Sequence, residues 1–405
     1  MQDIIIEKPY EFIGPHRGRG WPWIIQRLRL VDWYLRKYEG VVRHQLHGVD
    51  HLRESLRQGK GVLLTPNHCR YADPLVMGWV SRAAEMPLYS MASWHLFHQS
   101  RFQKWALRVL GAFSIYREGV DRQSLDQAVE ILSSGERPLV LFPEGAVFRT
   151  NDQLQNLLDG VSFIARTAAK KRAKENREAG IVIHPVAIKY LFLGDLQHTL
   201  PPVLDEIERR MTWTHTEHWT IIDRLQRIIH ALLSLKEIEH FGHAKQGDIV
   251  LRQQGLIDHL LHPLEQTWLG KTQEGAIIPR VKALRMKILP DLITGEVDSI
   301  ERKRRWKHLA DLYLAQQVAS YPPNYLTHPT TSTRVLETVE RIVEDLTDQS
   351  KPLGPLEVII EVGEAIEVPT ERGPRGEEDP VMVRLRDTMQ GMLNKWSTHA
   401  SPWKE

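Results

Sequence analysis

Apolar and polar positions in the first half of the chain switch between two periods. "VVRHQLHGV" from position 41 reads as a strand, "DHLRESLRQG" as a helix closed by Gly59, and "GVLLTP" from Gly61 as a buried strand. A helix follows over 74–80, and "GAFSIYR" is a further strand. "DRQSLDQAVEILSSG" is a helix with Asp121 at its N-cap and Gly135 at its stop. "PLVLFPEG" repeats the strand-into-loop pattern, "NLLDGVSFIARTAAKKRAKENREAG" is a helix with a basic tail, and "IVIHPVAIKYLF" is another strand. Strands alternating with helices predict an α/β fold, a largely parallel sheet flanked by helices, with reactive groups gathered at the carboxyl ends of the strands.

After Gly194 the alternation stops. Residues 195–350 carry helical patterns such as "TIIDRLQRIIHALLSLKEIEHF", then a proline-rich bend "YPPNYLTHP" and the helical "TSTRVLETVERIVEDLTDQS". "PLEVIIEVGEAIEVP" returns to strand chemistry as a final hairpin, followed by a polar loop "TERGPRGEEDP" and a last helix. The expected organisation is an N-terminal amphipathic segment 1–40, an α/β core 41–194, a helical insertion 195–350, and 351–405 completing the core. No internal repeat is visible.

Composition narrows the function. A formal net charge of +2 over 405 residues does not suggest a nucleic-acid partner. The single cysteine, Cys69, rules out an intrachain disulfide, removes thiolate zinc sites and suits a reducing compartment. No apolar stretch reaches the roughly 20 residues of a spanning helix. "MQDIIIEKPYEF" has acidic residues and no extended apolar core, unlike a secretory signal. In "GPHRGRGWPWIIQRLRLVDWYLRKY", Ile24, Leu28, Val31 and Leu35 follow helical spacing, beside Trp21, Trp23, Arg27, Arg29, Arg36 and Lys37. Such a face suits either a helix docked on its own core or one lying in a lipid headgroup zone. The basic runs near Lys170 and from Glu301 to Lys307 read as solvated helix faces.

The chemistry concentrates after the strands. In "NHCRYADP", His68 stands on the loop after "GVLLTP", and Asp73 is placed to cap the next helix with Pro74 at its first position. A carboxylate on one imidazole nitrogen fixes the tautomer and leaves the other as a base. On these residues alone, Asp73 serving only as a cap and His68 as a polar loop residue is the alternative. Arg117 ends "GAFSIYR", with a fork of donors suited to phosphate. Glu144 ends "VLFPEG", which also reads as a tight turn with Gly145 at positive φ.

These blocks, "NHCRYAD", "GAFSIYR", "FPEG" and "IHPVAI", resemble the glycerolipid acyltransferase family, the glycerol-3-phosphate and 1-acylglycerol-3-phosphate acyltransferases with a His-x4-Asp motif. The resemblance covers roughly positions 41 to 194 and, more weakly, the final strands. It implies an αβα acyltransferase fold, His68 as general base and Asp73 as its partner. It further implies Arg117, Glu144 and the Phe142, Pro143 and Gly145 around it as acceptor-site residues, and Pro185, with Asn67, near the acyl donor. The donor would be a fatty acyl thioester on coenzyme A or acyl carrier protein, the acceptor a lysolipid, with no metal or redox cofactor. Cytoplasmic placement on the inner membrane face follows from such substrates, and favours the interfacial reading of 21–37.

Two departures fall in the acceptor region. Arg70 stands where relatives often carry Ser, and "AVFRT" moves an arginine to Arg149. Arg70 either adds a contact to an acidic headgroup or lines the outer surface. The acceptor therefore stays open to another hydroxyl or amine lipid. A silent lipid-binding protein is the non-enzymatic alternative, which the intact His68 and Asp73 oppose. Cys69 beside the histidine offers a covalent route only on weak geometry, since loop neighbours point apart.

Overall fold

The computed structural model describes residues 7–214, 218–327, 329–372 and 377–403. The start of the segment read against a secretory signal (1–6), His328 in the proline-rich bend and 373–376 of the polar loop lie outside the described residues. In chain order come α1 (Gly20–Arg27), α2 (Leu30–Tyr38), β1 (Val41–His47), α3 (Val49–Arg57), β2 (Gly61–Pro66), α4 (Asp73–Ala83) and β3 (Tyr89–Ser93). A short 3-10 turn Trp94–His98 leads to α5 (Arg101–Val109), β4 (Ala112–Ile115), α6 (Arg122–Ser134), β5 (Leu139–Val140), α7 (Gly160–Lys174) and β6 (Ile181–Phe192). The helices α8 (Leu196–Thr199), α9 (Pro201–Arg210), α10 (Ile221–Phe241), α11 (Ile249–Leu269), α12 (Ile277–Thr294), α13 (Ser299–Ala319) and α14 (Ser332–Thr347) follow. Then come β7 (Leu356–Val362), β8 (Ile366–Glu367) and α15 (Pro380–Ser397).

The chain divides into two compact units. One consists of Tyr10–Leu191 and Leu356–His399, the other of Phe192–Pro355 with short pieces of both termini. The first unit is built on one sheet with strand order β1-β7-β6-β2-β5-β3-β4, with β8 pairing β6 antiparallel. The pairs β1–β7, β2–β6, β2–β5, β3–β5 and β3–β4 are parallel, as the strand–helix alternation predicted. Every residue of β2 and β6 is buried, which is why both read as nearly continuous apolar runs. Side chains alternate across β6. Ile181 and Ile183 join the core formed with α6, α7 and α15, while His184 meets Ser55 of α3 at 2.9 Å and Tyr190 meets α4. His184 and Lys189 inside β6 are both matched. His184 also contacts the Gly363 carbonyl at 2.8 Å, and Lys189 pairs with buried Asp152.

The second unit is helical. Leu256, Leu260, Leu284, Ile288 and Leu312 fill a core shared by α11, α12 and α13. Buried arginine–glutamate pairs tie its helices: Arg224 to Glu208, Arg252 to Glu237, Arg280 to Glu265. In the run from Glu301, Arg304 and Arg305 both pair with Glu301, and Arg305 is buried rather than solvated. No helix among the described residues is long and apolar enough to cross a membrane.

Several elements differ from expectation. The N-terminal apolar face is not one helix, because Arg29 takes φ 52° and breaks it into α1 and α2. Leu35 is then buried while Ile24 and Leu28 are exposed, so the 24-28-31-35 face does not exist. The strand of "PLVLFPEG" shrinks to Leu139–Val140, and the helix after it starts only at Gly160. Near its basic tail, Arg172 is buried and donates to the Gly59 carbonyl at 2.7 Å rather than facing solvent. The final two strands form no hairpin: Gly363 donates to the Pro185 carbonyl at 2.8 Å, so the chain crosses onto β6 and β8 pairs there. Strand β3 and helix α5 drew no assignment, since "YSMAS" is too short and polar to show a period.

Besides buried Leu35, a polar clamp holds α2. Asp32 accepts from Trp79 Nε1 at 2.6 Å and from both terminal nitrogens of Arg82 at 3.0 and 2.9 Å, linking α2 to α4. Asp32→Ala should destabilise the unit by about 1–3 kcal/mol, by stranding the indole N–H and the guanidinium. Urea unfolding reads the loss, and hydrogen exchange should show the opening confined to 30–38. Exchange unchanged over 30–38 would refute the clamp.

Candidate active site

Strand β2 stops at Pro66, but its parallel neighbour β6 runs on to Phe192. The overhanging backbone of β6 needs partners, and two asparagine side chains supply them. Asn67 Oδ1 accepts from Ile188 N–H at 2.7 Å and its Nδ2 donates to the Ile188 carbonyl at 3.0 Å. Two residues further, Asn151 does the same to Tyr190, at 2.8 and 2.7 Å. Each amide stands in for a missing strand residue and pins a loop. The Asn67 loop carries His68, and the Asn151 loop carries Arg149.

His68 and Asp73 meet as the sequence pattern required. His68 Nδ1 lies 2.9 Å from Asp73 Oδ2. A carboxylate only accepts, so Nδ1 carries the proton. Nε2 has no protein partner among the described residues, and the His68 side chain is 16% exposed while that of Asp73 is fully buried. Asp73 does not cap its helix; α4 begins with it and Ala72 holds the cap position without a side-chain bond. Its carboxylate is turned back onto the loop, where Oδ2 also accepts from Arg70 N–H at 2.8 Å. Oδ1 accepts from the Tyr190 hydroxyl at 2.7 Å. The Phe142 ring lies against the imidazole, centroids 4.2 Å apart.

Glu144 works on backbone. Oε1 accepts from His68 N–H at 2.6 Å and Oε2 from Gln155 N–H at 2.9 Å. Burial pushes its carboxyl up to about 7, against the lowering effect of these two donors. Gly145 takes φ 72°, and a Cβ there would stand 2.6 Å from Leu158 Cδ1. The Pro143 carbonyl accepts from Leu158 N–H at 2.8 Å. "FPEG" is thus a turn that sets Phe142 beside His68 and ties the His68 backbone to the next loop.

Arg117 follows β4 and donates to the Gly145 carbonyl. Among the described residues no carboxylate forms an ion pair with it. Burial lowers its pKa, so a bound anion would offset the cost of its charge. His95, which the sequence reading did not single out, lies after β3, the strand paired with β4. Burial and the Arg117 charge push it down to about 4, and its Nδ1 is 2.8 Å from Ser93 Oγ. Tyr190 was also missed. Only strand parity on β6 and the position of α4 bring it to Asp73.

The remaining residues divide by burial. Arg70 is buried with its guanidinium 5.1 Å from the Tyr190 ring centre, which removes the outer-surface alternative. Arg149 is buried at φ 52°, and its guanidinium sits 5.6 Å from the ring of exposed Tyr71. Pro185 lies inside β6 beside Thr65, below the His68 loop. Asn67 was expected near the acyl donor, yet its amide is occupied by Ile188. Cys69 is buried, with Sγ 3.9 Å from both Asp73 Oδ1 and Asn151 Oδ1 and 4.0 Å from the Ile188 carbonyl.

A histidine–carboxylate pair at the carboxyl edge of a mostly parallel αβα sheet is consistent with an acyltransferase-type fold. Residues 47–189 match the sequence profile of the Acyltransferase family. The chain is similar to a 1-acyl-sn-glycerol-3-phosphate acyltransferase of Streptococcus pneumoniae (strain ATCC BAA-255 / R6), 26% identical over 143 residues, or 35% of this chain and 51% of that protein. The chain therefore spans about half the length of that relative.

Asn67→Ala should cost about 2–4 kcal/mol in urea unfolding, because it strands the Ile188 N–H and carbonyl in the interior. A loss below about 0.5 kcal/mol would show that the clip is dispensable. Glu144 offers a pH test. A folded pKa raised to about 7 from the ordinary 4.5 means the native state holds the proton more tightly. Its contribution is complete below the unfolded pKa and fades as pH rises through the folded one, by up to about 3 kcal/mol. The stability difference between wild type and Glu144→Gln should therefore change across that window. A difference constant from pH 4 to 8 would contradict it.

Proposed function

We propose that this protein transfers a fatty acyl group from a thioester, on coenzyme A or acyl carrier protein, to the hydroxyl of a lysophosphatidate-like acceptor. The observation that carries this is the His68–Asp73 pair, whose Nε2 has no protein partner or side-chain nucleophile at it among the described residues. Cys69, the nearest thiol in sequence, is turned inward towards Asp73, Asn151 and the Ile188 carbonyl. The attacking oxygen must then belong to the acceptor.

His68 Nε2 takes the acceptor hydroxyl proton as the oxygen bonds to the thioester carbonyl carbon. The tetrahedral intermediate collapses with cleavage of the carbon–sulfur bond, and the imidazolium returns its proton to the departing thiolate. Asp73 holds the imidazole tautomer and balances its charge in the transition state. Glu144 and Phe142 hold the histidine from its backbone and ring face. Arg117 meets the acceptor's phosphate, a charge match supported by its having no ion pair with a carboxylate among the described residues. Buried Arg70 and Arg149 replace small or differently placed groups of related sequences. This keeps a second reading open, with another hydroxyl or amine lipid as acceptor.

The substrates place the enzyme on a membrane surface. Trp21, Trp23, Leu28, Trp33, Phe102 and Trp105 are all exposed, and Trp21 and Phe102 both contact Trp105, joining α1 to α5. With Arg27, Arg29, Arg36 and Lys37 alongside, this surface suits an anionic headgroup layer on the cytoplasmic face.

His68→Ala should lower transfer about 10²–10⁴-fold while leaving vesicle binding intact. The assay offers oleoyl-CoA and oleoyl carrier protein with a panel of lysolipids, read by mass spectrometry. Wild-type failure with every acceptor and both donors would refute the enzyme and favour a lipid-binding protein. Trp23→Glu combined with Phe102→Glu should abolish flotation on anionic vesicles. Undiminished flotation would refute the docking surface.

A further inference from the structure

The Asp73 carboxylate has a donor for which the proposed reaction gives no reason. The Tyr190 hydroxyl donates to Oδ1 at 2.7 Å, on the oxygen opposite the one that meets His68. Tyr190 is fully buried on the overhang of β6. Its backbone N–H and carbonyl are both gripped by Asn151, and its ring lies under the Arg70 guanidinium. Two neighbouring loops therefore fix one phenol against one carboxylate oxygen. Burial beside the Asp73 charge drives the phenol well above its ordinary range, so it keeps its proton and acts as a donor throughout. A ring needed only for packing would be served by phenylalanine, without an inward hydroxyl to satisfy.

We propose that Tyr190 is a positioning residue for the His68–Asp73 pair. Its hydroxyl locks Oδ1 so that Oδ2 faces the His68 Nδ1–H, and it draws charge from the carboxylate, setting how firmly the pair holds the transferred proton. This rests on His68 being the base. The groups facing Asp73 are His68, Cys69 and Arg70 from its own loop and Tyr190 from β6, while the Glu144 loop lies across the His68 backbone. Of these, Tyr190 alone combines a side-chain O–H donor with full burial. Losing that donor leaves the carboxylate more basic, which strengthens its hold on the imidazolium.

The test is the pH dependence of transfer by the full chain, with oleoyl-CoA and oleoyl lysophosphatidate in vesicles. Tyr190→Phe should lower plateau kcat about tenfold with KM changed less than about twofold, and move the acid limb up by about half a pH unit. A ring-fluorinated tyrosine at 190, with fluorine beside the hydroxyl, is a stronger donor of nearly the same shape and should move the limb down. Opposite shifts support the inference, and an acid limb unmoved in both proteins overturns it whatever happens to the rate. If Tyr190→Phe does not fold, the fluorinated protein decides alone. If wild type transfers to no acceptor, the reading of His68 as base fails separately. The titration of the His68 ring by NMR, assigned by difference against His68→Gln, then decides the positioning role through the same opposite shifts.

Discussion

The site depends on a mismatch in strand length. β6 has 12 residues and its neighbour β2 has 6, so half of β6 emerges with one edge in need of hydrogen-bond partners inside the protein. Unmet backbone groups at that depth would cost several kcal/mol. The amides of Asn67 and Asn151 meet them, and each amide fixes a loop that carries a site residue. The same overhang points Tyr190 at Asp73. Satisfying one strand edge thus assembles the rim on which His68 stands.

Charge at this rim meets directed protein donors. Asp73 is buried with a ring N–H, a backbone N–H and a phenol converging on it. Glu144 has only backbone donors, and burial dominates there. The two acids therefore differ in kind although both are buried beside the same histidine. One is stabilised by groups aimed at it and serves the imidazole; the other strains against its surroundings and holds the loop that presents the imidazole. Arg117 donates to the Gly145 carbonyl and, among the described residues, forms no ion pair with a carboxylate.

The surface of the N-terminal helices follows the same logic of accounting for every group. Leu35 and the Asp32 clamp hold α2 in place, which leaves Trp33, Tyr34 and Tyr38 outside rather than in the core. This aromatic and basic surface is clamped through α2 to α4, the helix that carries Asp73, so it is joined to the His68 loop through packed structure.

The sequence by itself determined the alternation of strand and helix, the parallel sheet and the His68–Asp73 pairing. Those depend on local period and on a five-residue turn, both of which are written in consecutive positions. The positive φ of Gly145 belongs with them, since only the local turn requires it. Strand β3, the break at Arg29 and the crossing of the last strands onto β6 were decided by tertiary structure, where neighbours override weak local patterns. So were the tasks of Asn67, Glu144 and Tyr190. A side-chain amide that completes a sheet looks in sequence like one that binds a ligand, and only the position of the strand beside it tells them apart.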